Sequence, residues 1–361
     1  MRLRLSLLMI SVALPLTTLG LAACGSPERE NSRIEQPQPG TTPGTTPGLS
    51  RADIEGGLPA PEAVPDAAVS GSATTAPDPA ADTPPDAGLI RLQVLLDRTP
   101  FSPGQIDGLR GSNTRQAIEA WRKANNKEDE TFTEADLIQA LASTDSTPVI
   151  ADYVLSAEDV AGPFSPPPTD DLSLQAELGT NYSTARERIA ERFHISETLL
   201  QALNPGVDFK TAGVKIMVPG VSQAALPEVA RIEVSKAEKA IRAYDASGKL
   251  IAYYPATIGS GDNPSPSGEV KVNGVARTPD YTFDPAKLNF GKGPKVTVPA
   301  GPNNPVGAVW IDLDRPSYGI HGTPDPTKIG KTASHGCVRL TNWDAQELAA
   351  AVKPGVMVHF R

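Results

Sequence analysis

The distribution of proline and of large apolar residues forbids a single continuous core. From residue 25 to residue 87 the chain is dominated by Pro, Ala, Thr, Gly and Asp. It repeats itself locally as Thr41-Thr42-Pro43-Gly44-Thr45-Thr46-Pro47-Gly48, and hardly any aromatic or large aliphatic residue interrupts it. Such a segment buries too little apolar surface to offset the entropy of ordering its backbone, so it reads as a disordered tether of mixed flexible and polyproline-II character. A second Pro-rich stretch carries Pro163, Pro166, Pro167 and Pro168. With 36 Pro, 31 Gly and only 5% aromatic residues among 361, the ordered part must be divided into several small modules.

The two cysteines need separate explanations, since two cannot form a multi-bridge scaffold or complete a four-Cys zinc site. The first, Cys24, follows a positive start (Arg2, Arg4), an apolar stretch from Leu5 to Leu21, and the small pair Ala22-Ala23. This run resembles the bacterial lipoprotein signal. It implies that residues 1–23 are a signal peptide and that Cys24 is lipidated, with acyl chains holding the protein to a membrane. Gly25, where Asp would favour inner-membrane retention in that family, points to a periplasmic protein on the outer membrane. No other apolar run reaches the length of about 18 residues that a membrane-spanning helix requires. The formal charge of −9 gives no overall attraction to nucleic acid, so that partner class is not expected.

Helical periodicity begins at Gly88, with Leu89, Leu92 and Leu96 on one face. A second helix, capped near Ser112 or Asn113, carries Ala117, Ile118, Trp121 and Ala124, and a third starts at Thr133 with Asp136 three residues on. Trp121 is expected in the core, and Asp107 is expected to satisfy turn amides. Residues 92–125, with the Ile106-Asp107-Gly108 turn and Gly111-x-x-Thr114, resemble the three-helix peptidoglycan-binding-like domain, assigned here to 88–145. A linker is expected over 146–180. Residues 181–220 then read as two short helices, capped by Ser183 and Ser196, and a strand over 214–218. This segment resembles a degenerate LysM-type glycan-binding module that lacks the usual Gly-Asp turn and a clear first strand. A structural spacer is the alternative.

From about Val229 the pattern turns to alternating strands (Ile232/Val234, Ile241/Ala243, 250–258, 269–272, 309–313, 356–360), followed near the end by one amphipathic helix from about Asn342 to Val352. The expected fold for 229–361 is a β-rich sandwich or barrel-like domain with a C-terminal helix.

Chemistry concentrates in Ser334-His335-Gly336-Cys337-Val338-Arg339-Leu340, with His321 16 residues before Cys337. A thiol nucleophile needs a base nearby, and His is the side chain suited to that near neutral pH. Gly336 leaves the backbone uncrowded, so that N–H groups can face a developing oxyanion. The same residues fit two other readings: Cys337 as a small buried hydrophobe, or His321, His335 and Cys337 as three zinc ligands. Spacing alone does not separate them.

The block IHGTPDPTKIGKTASHGCVRL (residues 320–340), preceded by NNPVGAVWIDL (residues 303–313), closely resembles the L,D-transpeptidase catalytic domain, also called the YkuD domain. The resemblance covers about residues 229–361 and implies the following roles. Cys337 is the nucleophile toward a stem tetrapeptide, and His321 is the general base, oriented by the carbonyl of Gly322 at a position that is often Ser in the family. His335 is auxiliary, with Ser334 in support. The Gly336 and Cys337 N–H groups form the oxyanion hole, and Arg339 holds a stem-peptide carboxylate. The implied partners are peptidoglycan stem peptides as donor and an amine as acceptor. An acceptor on another stem gives a 3→3 crosslink, one on an outer-membrane protein anchors that protein, and water gives L,D-carboxypeptidase activity. No metal or organic cofactor is implied. His194 and His359 are read as structural.

Overall fold

The structure, a computed structural model, describes residues 49–60, 83–129, 131–222, 225–261, 264–286, 293–334 and 336–361. All of these belong to one of the chain's two units, Pro47–Arg361. The expected signal peptide, Cys24 and most of the tether lie outside the described residues.

The tether reading needs one correction. Residues 51–56 form helix α1 (Arg51–Gly56), whose first turn is capped by Ser50 Oγ accepting from the Asp53 N–H at 3.1 Å. Ile54 is fully buried, and burying such a side chain contributes roughly 1.5–3 kcal/mol toward fastening this short helix to the module that follows. That module contains the helices α2 (Ala87–Asp97), α3 (Ser112–Ala124) and α4 (Glu134–Thr144). Thr133 and Asp136 form a reciprocal capping box on α4. The N-cap of α3 is Gly111, with no side-chain cap, instead of Ser112 or Asn113. Asn113 is used elsewhere: its Nδ2 donates to the Ile329 carbonyl of the C-terminal domain (3.0 Å). Trp121 is half-buried and stacked on Phe132, not deep in the core. Asp107 does serve its turn, accepting from the Leu109 N–H at 2.9 Å.

The stretch expected as linker contains β1 (Ile150–Val154), α5 (Ala157–Val160) and α6 (Leu172–Leu178). Next come α7 (Ala185–Arg192), capped by Thr184 instead of Ser183, then α8 (Glu197–Leu203) and β2 (Lys215–Pro219). Strand β1 pairs antiparallel with β2, from Ile150↔Pro219 to Val154↔Lys215, so this module, with α5 to α8 between its two strands, extends over 150–219. It does not stand apart from the helices before it. Leu92, Leu96, Ile150, Ile189, Leu200 and Val218 belong to one core, which also takes in Leu250 and Tyr253 of the C-terminal domain.

The C-terminal domain contains β3 (Arg231–Ser235), β4 (Ala240–Tyr244), β5 (Leu250–Pro255), β6 (Ile258–Gly259), β7 (Gly268–Arg277), β8 (Tyr281–Phe283), β9 (Val296–Val298), β10 (Val309–Leu313), β11 (Gly319–His321), β12 (Ala333–Ser334), β13 (Val338–Arg339), α9 (Asn342–Ala351) and β14 (Met357–Phe360). The expected strand over 250–258 is thus two strands, broken after Pro255. Eight strands form one mixed sheet in the order β13-β11-β10-β7-β14-β3-β4-β5, and β8 and β9 make a separate hairpin. The domain is β-rich as expected, but its core lies between this single sheet and α9. Ile232, Val270, Ile311, Ile320, Val338 and Val358 meet Leu348 there. Threonine at the N-cap (Thr341) and the inward Trp343, Leu348 and Val352 account for where α9 starts and which face it buries.

Candidate active site

Strand register assembles the site. Strand β11 lies between β10, to which it is antiparallel, and β13, to which it is parallel. Ile320 pairs with Val338, and both point into the core. Successive side chains alternate between faces, so the next pair, His321 and Arg339, projects to the opposite face. Trp310 on β10 is directly across from His321. One row therefore runs Trp310, His321, Arg339 across three strands.

The imidazole is buried and stacked on the Trp310 indole, with ring centroids 5.4 Å apart. Its Nδ1–H donates to the Gly322 carbonyl at 2.7 Å. Because the partner is a carbonyl, Nδ1 must carry the hydrogen, which leaves Nε2 with a free lone pair. Burial, aided by the nearby Arg339 guanidinium, pushes the His321 pKa down to about 3, against the opposing pull of the Gly322 and Val306 carbonyls. The ring is therefore neutral at any ordinary pH.

Cys337 enters through a tight turn. Ser334 Oγ donates to the Cys337 carbonyl at 2.5 Å and accepts from the Gly336 N–H at 3.1 Å. Ser265 Oγ donates to the Gly336 carbonyl at 2.6 Å and accepts from the Gly259 N–H at 3.0 Å. Gly336 has φ +120°, a conformation that L side chains rarely adopt. A Cβ there would also lie 2.9 Å from Tyr318 Cε1. Beyond the turn, Arg339 and Thr257 exchange two backbone hydrogen bonds (2.8 and 2.9 Å), fixing the outer edge of β13. The Cys337 thiol is free, half-buried, and donates to the Ser317 carbonyl at 3.5 Å. Burial raises its pKa above the ordinary 9.0, with a hydrogen bond from Gly319 and the Arg339 charge pulling the other way. Thiol and imidazole are thus both neutral at rest.

Burial lowers the Arg339 pKa, while the neighbouring Cys337 and Tyr281 oppose that shift. The buried Nε of Arg339 has no hydrogen-bond partner among the described residues. The residue lines a groove of about 1560 Å³ with Tyr281 and Thr323 on its own domain. The other wall is α7 of the N-terminal module, through Arg186, Glu187 and Glu191.

Cys337, His321, Gly322, Ser334 and Arg339 therefore sit together. His335 lies outside the described residues. Gly336 is in the turn, but the N–H expected to face an oxyanion is taken by Ser334 Oγ. His194 is held by Asp97 (3.0 Å) and stacked on Trp343, and His359 lies 3.3 Å from Glu269, so both are structural. Trp310, Tyr281, Ser265 and Asn342 were not singled out from the sequence. Their signal is register and tertiary packing, which no local pattern carries.

Residues 229–359 match the family model of the YkuD L,D-transpeptidase catalytic domain. The chain is 33% identical over 176 residues to YkuD of Bacillus licheniformis, which bears the name of an L,D-transpeptidase; the match covers 48% of this chain and 90% of that protein. It is 31% identical over 189 residues to YkuD of Bacillus subtilis, covering 52% and 97% respectively. Similarity to ErfK/SrfK of Salmonella typhimurium is 32% over 187 residues, covering 49% of this chain and 60% of that one. A relative 33% identical and matched over 90% of its length, together with the family model over residues 229–359, places the chain in the L,D-transpeptidase family.

Proposed function

We propose that this protein is a lipid-anchored L,D-transpeptidase that works through a Cys337 thioester on peptidoglycan stem peptides. The observation that carries the reading is the His321 Nδ1–H to Gly322 carbonyl bond, which leaves Nε2 free to take a proton in a row that also holds Arg339. In the first half-reaction the Cys337 thiol gives its proton to His321 Nε2 as Sγ attacks the donor carbonyl. The C–N bond breaks, the imidazolium protonates the departing amine of D-Ala, and a thioester remains. In the second, an acceptor amine attacks the thioester and loses its proton to His321. The proton returns to the Cys337 sulfur as the C–S bond breaks. The Cys337 N–H is assigned to the oxyanion, since that of Gly336 is occupied by Ser334. Arg339, whose Nε has no hydrogen-bond partner among the described residues, is assigned to a stem-peptide carboxylate.

The acceptor decides between a 3→3 crosslink, attachment of an outer-membrane protein and hydrolysis. Assays with a diaminopimelate amine, a protein amine and water alone separate these. Replacing Cys337 with Ala should abolish D-Ala release from a tetrapeptide; sustained turnover would contradict the reading. Loss of activity on chelation would instead favour the zinc-ligand alternative. Sacculus binding with no D-Ala release would favour a non-catalytic wall-binding lipoprotein. Outer-membrane placement through Cys24 is tested by fractionating cells that carry Cys24→Ser.

A further inference from the structure

Asn342, the first residue of α9, lies behind the catalytic row. Its amide orientation is fixed by its neighbours: Oδ1 accepts from the Ala308 N–H (2.9 Å), and Nδ2 donates to Glu191 Oε1 (2.9 Å) and to the Pro302 carbonyl (3.4 Å). Turned over, the NH₂ would face another N–H and the oxygen would face two acceptors. Oδ1 also fills the space beside two glycines. A Cβ on Gly322 or on Gly307 would come within 2.1 Å of it. Gly322 is the residue whose carbonyl holds His321.

Glu191 comes from α7 of the N-terminal module, 151 residues before Asn342. The next residue of α9 adds a second contact, since Trp343 stacks on His194, three residues beyond Glu191, with centroids 4.7 Å apart. The N-terminus of α9 is therefore gripped by the module at two successive side chains.

We propose that Asn342 is a positioning residue for His321, and that Glu191 of the N-terminal module holds Asn342 in place. The module over 150–219 then acts on the reaction through the backbone behind the imidazole, in addition to forming a wall of the groove. This inference rests on the cysteine acyl-transfer reading. Burial pushes the Glu191 pKa up to about 7, and either protonation state retains an oxygen that accepts from Asn342. A glutamine should therefore replace it.

The test uses the full chain and measures kcat and KM for D-Ala release from a tetrapeptide. Glu191→Ala and Asn342→Ala are expected to lower kcat roughly tenfold with donor KM nearly unchanged, corresponding to one lost hydrogen bond. Glu191→Gln should restore kcat. The proposal is overturned if either Ala variant keeps full kcat, if the loss appears in KM alone, or if Glu191→Gln falls as far as Glu191→Ala. It is also overturned if both Ala variants fail to fold, which would assign the contact to stability. Turnover by Cys337→Ala is a different result, and would sink the acyl-transfer reading instead.

Discussion

The Trp310 indole lies against the His321 imidazole with ring centroids 5.4 Å apart and an interplanar angle of 21°. The indole keeps water from one face of the ring, and exclusion of water is the largest cause of the low His321 pKa. Trp310→Ala should therefore raise that pKa from about 3 toward the ordinary 6.5. The acid limb of the kcat/KM profile would move to higher pH by the same shift. An unmoved acid limb would mean that the indole does not shield the base.

Arg339 occupies the next place in the row. A charge-assisted hydrogen bond contributes about 1.5–3 kcal/mol, so Arg339→Ala should reduce kcat/KM for a carboxylate-bearing donor roughly 10- to 100-fold. A donor amidated at that carboxylate should show a much smaller difference between wild type and variant. Equal losses with both donors would argue against carboxylate binding.

The turn at Gly336 should not tolerate a side chain. Gly336→Ala combines a φ of +120° with a Cβ 2.9 Å from Tyr318, and such backbone strain costs about 1–3 kcal/mol. Thermal unfolding should fall accordingly, and the rate of Cys337 alkylation should change. Ser334→Thr should keep both hydrogen bonds of the turn, whereas Ser334→Ala should lose them and much of the activity.

Gly322 and Asn342 should behave as a pair. Gly322→Ser places a Cβ where Asn342 Oδ1 lies, so it should impair turnover in the wild-type background. The double variant Gly322→Ser/Asn342→Ala removes the clash but not the lost support. Its kcat should match that of Asn342→Ala, as measured in a double-mutant cycle.

Stability should depend on pH with opposite signs at the two ends of the range. Burial raises the pKa of Asp344 to about 8 and that of Glu347 to about 7. Between their ordinary values of 3.8 and 4.5 and these raised values, the folded chain holds protons that the unfolded chain has released. This contribution is fully present below the ordinary values and is lost as pH rises through 7 to 8. His321 acts oppositely. Below 6.5 the unfolded chain takes up a proton that the folded one refuses until about pH 3, so stability falls with falling pH. Chemical denaturation across pH should show both slopes, and Asp344→Asn should flatten the alkaline one.

What the sequence made legible was local. Alternation at Val309, Ile311 and Leu313 placed β10 at its observed limits. The contiguous 334–340 motif exposed Cys337 and Arg339. Contacts made across long separations in sequence were not legible. Strand β1 has a single fully buried residue, Ile150, and is recognisable only through β2, which follows it some 60 residues later. Trp310 joins the site through register, and Asn342 through a glutamate on another module. Ile54 is an isolated aliphatic in the sequence, and its pocket is supplied by the helical core.

The central claim is that Cys337 carries the acyl group. Intact mass spectrometry of the full chain mixed with a tetrapeptide donor, without acceptor, tests it most directly. The account predicts a covalent adduct on Cys337 equal to the donor less D-Ala, absent in Cys337→Ala and discharged when an acceptor amine is added. D-Ala release with no adduct on rapid quenching, or an adduct that persists in Cys337→Ala, would contradict it.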